Sequence, residues 1–143
     1  MIACINGEFE VDCTQWTARE LKLLHETLSD HILQDYFDGQ IIFMRKEKAR
    51  WSGLMESRIE DGIRTSKIWI SNFAWRTPPA GGLLDFFDSL FSKPEYFQGT
   101  IAHELTHAAV WFHPELLDWW KAEKEALGLN LKPRDWRLGL LYD

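Results

Sequence analysis

The five residues His103-Glu104-Leu105-Thr106-His107 carry the most legible chemistry in this chain. On an α-helix, residues four apart lie within about 40° of each other and one turn apart, so both imidazoles can reach one tetrahedral cation. Glu104 flanks the same face. It sits too close to serve as a third ligand in the usual arrangement, yet it can hydrogen-bond a zinc-bound water and take its proton as the water attacks a carbonyl. Zinc is the expected ion, because it lowers the pKa of that water towards about 7 and polarises the substrate oxygen. A helix is expected around the motif. Ser92 and Glu95 form a capping-box pattern with Pro94 in the first turn, opening a helix over Glu95 to Val110. Ile101, Ala102, Leu105, Ala108 and Ala109 give that helix apolar surroundings.

A catalytic zinc normally takes a third protein ligand, and the nearest histidine is His113. In one unbroken helix His113 would lie about 120° around from His107 and about 9 Å along the axis, out of reach of the same ion. Pro114 offers a break, since the residue before a proline avoids the α region, and an extended His113 can turn back towards the metal. Pro114 then starts a further helix carrying Leu116, Leu117, Trp120 and Leu127 and ending at Gly128. Glu123 and Glu125 on that helix are competing ligands, with Asp118 more distant. Beside Lys121 and Lys124 they also read as a solvated face.

The remaining elements must position this set. Thr17 and Glu20 form a capping box, and Leu21, Leu24, Leu28, Ile32 and Tyr36 make one stripe, which predicts an amphipathic helix over Thr17 to Tyr36. His25 and His31 are six residues apart on different faces of it and read as surface or boundary histidines without a role. Strands are expected at Gln40 to Arg45, about Trp51 to Ile59, and Lys67 to Ser71, with a turn at Asp61-Gly62. Thr77 to Gly82 reads as a loop and Leu83 to Phe91 as a short apolar helix. The order predicts an α+β fold: an N-terminal helix, a small three-stranded and mostly antiparallel sheet, the metal-binding helix and one further helix.

At 143 residues, of which 45% are hydrophobic and 27% charged, the chain is expected to form one domain over residues 1–143. Its eight tryptophans read chiefly as large core fillers. A net charge of -6 argues against direct nucleic-acid binding, and the one basic run, Arg45, Lys46, Lys48 and Arg50, reads as a solvated strand edge or turn. No segment has the apolar length of a membrane span or the apolar core of a signal peptide, so a cytoplasmic protein is expected. Two cysteines cannot build a four-cysteine zinc ribbon, and a two-residue turn at Asn6-Gly7 would leave Cys13 beyond the paired strands, a poor fit for a disulfide.

The stretch Gly99-Thr100-Ile101-Ala102-His103-Glu104-Leu105-Thr106-His107-Ala108-Ala109, followed by His113-Pro114-Glu115-Leu116-Leu117-Asp118-Trp119-Trp120, resembles the SprT-like, or Spartan-type, zinc metallopeptidases. The resemblance covers about Thr17 to Gly128 and implies a zincin-like fold. It also implies a peptidase acting on intracellular proteins, with His103, His107 and His113 as zinc ligands and Glu104 as general base. The step from His107 to His113 is shorter than that family's and equals the metzincins', but Val110 stands where their glycine would be and no methionine follows. Two other readings stand beside the peptidase: a catalytically silent zinc-bound adaptor or inhibitor that binds a protein partner, and a DNA-associated protein-processing factor.

Overall fold

The computed structural model describes residues 3–6, 9–76 and 93–130, with the side chains of 3–6, 124 and 127–130 outside the description. The expected loop at Thr77 to Gly82, the helix at Leu83 to Phe91 and the cap at Ser92 lie outside the described residues. Within them the chain runs β1 (Ala3–Asn6), β2 (Phe9–Asp12), α1 (Ala18–Asp30), β3 (Gln40–Lys46), β4 (Gly53–Glu60), β5 (Ile63–Ser71), α2 (Lys93–Phe112) and α3 (Leu116–Asn130). Short 3₁₀ turns sit at Gln34–Tyr36 and Asn72–Trp75. The α+β class stands, and no described helix is long and apolar enough to cross a membrane.

The sheet corrects the expectation of three mostly antiparallel strands. Among the described residues it has five strands in the order β1-β2-β3-β5-β4. β1–β2 and β4–β5 are antiparallel, whereas β2–β3 and β3–β5 are parallel. Two connections explain the difference. α1 lies between β2 and β3, and a helical crossover returns the chain to the same end of the sheet, so the two strands pair in parallel. Asp61 (φ 53°) and Gly62 (φ 80°) both take left-handed backbone in the two-residue turn closed by Glu60 and Ile63. That tight hairpin ties β4 to β5, so β4 occupies the sheet edge and β5 fills the place beside β3.

The N-terminal hairpin also differs in register. Asn6 pairs with Phe9 and Cys4 with Val11, which is not the register that a turn at Asn6-Gly7 would set. Cys13 then lies only two residues past the partner of Cys4, and Cys13 is disulfide-bonded, against the expectation from the other register.

One sheet face carries the core. Val11, Phe43 and Ile68 are paired neighbours across three strands, and with Ile41 and Ile70 they meet Leu24 and Leu28 of α1 and Phe97, Ile101 and Leu105 of α2. Of the described tryptophans, Trp16 and Trp120 are buried, whereas Trp51, Trp69, Trp75, Trp111 and Trp119 are half-buried. α1 begins as expected, with the Thr17–Glu20 capping box in place. Glu20 does more than cap. Burial works to raise its pKa, yet hydrogen bonds from the Arg45 guanidinium, the Thr17 N–H and the Trp75 indole hold it below the ordinary carboxylate value. Arg45 bonds Glu20 at 2.8 Å, Asn72 Oδ1 at 2.8 Å and the Ile70 carbonyl at 3.1 Å. It is therefore an internal brace between α1 and the sheet, not a member of a solvated basic edge; Lys46, Lys48 and Arg50 remain exposed.

α1 stops at Asp30, six residues short of the expected Tyr36. His31 leaves the helical region (ψ 134°) and turns its ring into the core, while Ile32 and Tyr36, expected on the buried stripe, are exposed.

Candidate functional site

α2 holds His103, Glu104 and His107 on a helix buried along most of its length. His103 Nε2 and His107 Nε2 face each other at 3.1 Å, with the ring planes at 86°. Two nitrogens converging in this way share either a proton or a cation. Imidazole ligands about 2.05 Å from one tetrahedral zinc stand about 3.3 Å apart, so the observed pair fits two corners of a zinc site. His103 is buried, His107 half-buried.

Glu104 is 7% exposed, and burial pushes its carboxyl pKa up from 4.5 to about 7. A carboxyl balanced near neutrality can accept a proton and release it again, which is what a general base turned general acid must do. Its close neighbour is the start of the edge strand. A Cβ placed on Gly53 would lie 2.8 Å from Thr100 Cγ2, 2.9 Å from Glu104 Cγ and 3.2 Å from Glu104 Oε1. Only a residue without a side chain lets β4 approach α2 this closely. The role of Gly53 was not drawn from the sequence, although an isolated glycine inside a strand pattern is the usual sign of close backbone approach. Gly53→Ala is expected to cost roughly 1–3 kcal/mol of stability by overpacking. It should also displace the Glu104 side chain. Urea unfolding of both proteins checks this, and an unchanged midpoint would mean the contact relaxes without cost.

Two further residues brace the pair. His31, read as a boundary histidine, is 1% exposed. Its Nδ1 accepts the Leu33 N–H at 3.1 Å, so the ring proton sits on Nε2, which donates to the Ala102 carbonyl at 3.0 Å. Thr106 Oγ1 lies 3.2 Å from the same Nε2 and donates to Ala102 at 2.9 Å. Ala102 and Thr106 each precede one histidine of the pair, so His31 grips the helix on the flank about 100° around from the two histidines. Trp120 of α3 closes the other side, its ring 5.0 Å from that of His107 and 6.2 Å from that of His103. Neither contact is visible in the sequence, where His31 and Trp120 lie 72 and 17 residues from His103.

His113 is not brought to the pair. α2 runs unbroken to Phe112, and the His113 N–H still bonds the Ala109 carbonyl at 2.8 Å, so Pro114 ends the helix one residue too late to free His113. The unbroken-helix geometry therefore applies, with His113 about 9 Å further along the axis. Its Nε2 is instead 2.6 Å from Asp38 Oδ2, its Nδ1 3.2 Å from Glu115 Oε1, and its ring stacks edge-on against Tyr36. Among the described residues no set of three His, Cys, Asp or Glu side chains stands ready to hold a metal. Glu123 is half-buried, and Asp118 and Glu125 are exposed.

Comparison with protein-family models, curated proteins and solved structures finds no match to this chain, so its site is read from its own residues.

Proposed function

We propose that this chain is a zinc-dependent metallopeptidase with a zincin-like active site, in which His103 and His107 hold the ion and Glu104 is the catalytic acid–base. The observation that carries this reading is the 3.1 Å convergence of the two Nε2 atoms beside a buried carboxyl one residue along the helix. Zinc, when bound there, would acidify a coordinated water and polarise the scissile carbonyl. With the ion in place, Glu104 would accept the proton released by that water and return it to the leaving amine. His31 braces the helix that carries the pair, and Trp120 packs against both imidazoles.

The edge strand β4 supports a peptide as the substrate. It is the last strand of the sheet, and its outer edge has no strand partner among the described residues. Such an edge presents free N–H and C=O groups to which an extended peptide can pair, and Gly53 at its start touches Glu104. A peptide laid along β4 would bring a backbone carbonyl to the general base. Protein or peptide substrates therefore suit the site better than nucleic acid, and the burial of Arg45 leaves the basic run still thinner. The disulfide at Cys13 favours an oxidising compartment over the cytoplasmic one expected from the sequence, and the peptidase chemistry is the same in either.

The test combines metal content with hydrolysis. Purified under mild conditions, the protein is expected to carry about one zinc per chain. It should also cleave unfolded protein substrates in a reaction that a chelator stops and added zinc restores. A protein that neither retains nor takes up a transition metal removes the basis of the reading. Zinc binding and partner capture without cleavage would favour the silent adaptor.

A further inference from the structure

The strand that ends the sheet lacks the usual devices that keep a free edge from pairing. β4 matches β5 residue for residue from Gly53 to Glu60, with no bulge, and contains neither proline nor lysine. Its outer edge has no strand partner among the described residues. The second half of the strand stands clear of the core: Ser57, Arg58, Ile59 and Glu60 are all exposed, Ile59 by 63%. A straight eight-residue edge is a template for another strand, and its side chains decide which strand suits it.

The pairing with β5 sorts those side chains between two faces. Gly53 and Met55 lie opposite the buried Ile70 and Ile68, so Gly53, Met55, Ser57 and Ile59 share the face on which α2 packs. Leu54, Glu56, Arg58 and Glu60 share the other, where the charges alternate acid, base, acid. The Trp69 indole N–H bonds Glu56 Oε1 at 2.6 Å and fixes that carboxylate on the outer face. Arg58 lies 3.3 Å from Glu56 and 3.9 Å from Glu60, in ion pairs exposed enough to be exchanged at small cost.

Laid antiparallel on a copy of itself, with the helices on one side of the joined sheet, β4 sets residues only against residues of the same face. Centred on Glu56 or on Arg58, the two strands oppose like charges. Centred on Met55 they leave Arg58 outside the pairing, and centred on Ile59 they overlap only from Arg58 to Glu60. Centred on Ser57, Glu56 of each copy stands opposite Arg58 of the other, and Met55 opposite the exposed Ile59. That register runs from Leu54 to Glu60 and satisfies charge on one face and apolar contact on the other.

We propose that a second copy of this chain occupies the β4 edge, joining the two sheets antiparallel about Ser57 in a symmetric dimer. Two Glu56–Arg58 pairs and two Met55–Ile59 pairs hold it, together with the backbone hydrogen bonds between the strands. The dimer is independent of the zinc reading. Its consequence for activity rests on that reading: an edge occupied by a second copy is closed to a peptide substrate.

Sedimentation velocity over a concentration series tests the interface on the full chain and its Arg58→Glu and Glu56→Arg variants. The wild type is expected to dimerise with a micromolar dissociation constant, since one strand pairing is small beside a standard interface. Each variant alone sets like charges in both pairs and is expected to dimerise about 10- to 100-fold more weakly. Mixed in equal amounts, the two variants are expected to recover an affinity close to wild type, because the acidic pair of one chain then meets the basic pair of the other. A misfolded variant would not give that recovery. A wild type that stays monomeric into the millimolar range overturns the proposal, as does a dimer that both variants leave intact or a mixture that fails to pair. Hydrolysis per chain is expected to fall as the wild type passes from monomer to dimer. A dimer that forms as expected while the rate per chain stays constant places the fault in the peptide reading of β4 and not in the interface.

Discussion

Glu104→Gln is expected to keep the fold and the metal while lowering peptide hydrolysis by about 10²- to 10⁴-fold, the usual contribution of general acid–base catalysis. Gln has nearly the same shape and can still hydrogen-bond a water, but it cannot accept the proton that must leave as that water becomes a nucleophile. The same substitution has a second consequence in the metal-free protein. The Glu104 pKa is raised from 4.5 to about 7, so between these values the folded state binds a proton that the unfolded state has lost. Its contribution is therefore fully present below pH 4.5 and lost as the pH rises through 7, where ionising the buried carboxyl costs at most about 3 kcal/mol. Glu104→Gln should stabilise the metal-free protein at pH 8 and leave it little changed at pH 4. Urea unfolding of both proteins in chelator at the two pH values, with hydrolysis and zinc content measured on the same samples, checks both halves. Wild-type turnover in Glu104→Gln would sink the proton-transfer role.

His31 titrates in the opposite sense. Burial lowers its pKa from 6.5 to about 4, against a smaller opposing effect of the Ala102 hydrogen bond. The reason is visible in its contacts: Nδ1 already accepts the Leu33 N–H, so a second ring proton would face a donor inside the core. For a group with a depressed folded pKa, the stability is present above 6.5 and lost as the pH falls through 4. The loss amounts to at most about 3 kcal/mol. His31→Gln, which can still donate to Ala102, is expected to be less stable than wild type at pH 7 by about 1–3 kcal/mol for the unmet Leu33 donor. It should lack the acid-induced loss between pH 6.5 and 4. The Glu104 effect runs the other way over a similar range, so the two partly cancel in the wild-type curve, and only the differences between variants separate them. Equal pH slopes for wild type and His31→Gln over that range would show that the ring does not titrate as its surroundings require.

The elements nearest the chemistry were legible because they depend on local rules. The Thr17–Glu20 box, the Asp61-Gly62 turn, the strands β3, β4 and β5 and the helix around His103 all follow from residues within a few positions of one another. The spacing of His103 and His107 likewise requires only that the segment be helical. A helix by itself brings the two side chains to one face, one turn apart. Where a local rule competed with packing, it gave way. Pro114 was expected to free His113, but the helix keeps its turn through the Ala109 carbonyl and Asp38 takes up the imidazole. The stripe from Leu21 to Tyr36 predicted one long helix, but burying His31 against Ala102 ended it at Asp30.

By itself, then, the sequence determined an α+β chain with two histidines and a glutamate on one turn of helix, because periodicity and capping act over short distances. Only the tertiary structure decided the parallel pairing of β3 and β5, the burial of Arg45 and His31, and the contact of Gly53 with Glu104. It also decided that α3, through Trp120, covers the histidine pair while His113 faces away from it. These contacts join residues far apart in the chain. Each depends on which surfaces remain to be buried once the sheet has formed, and that is a property of the whole core.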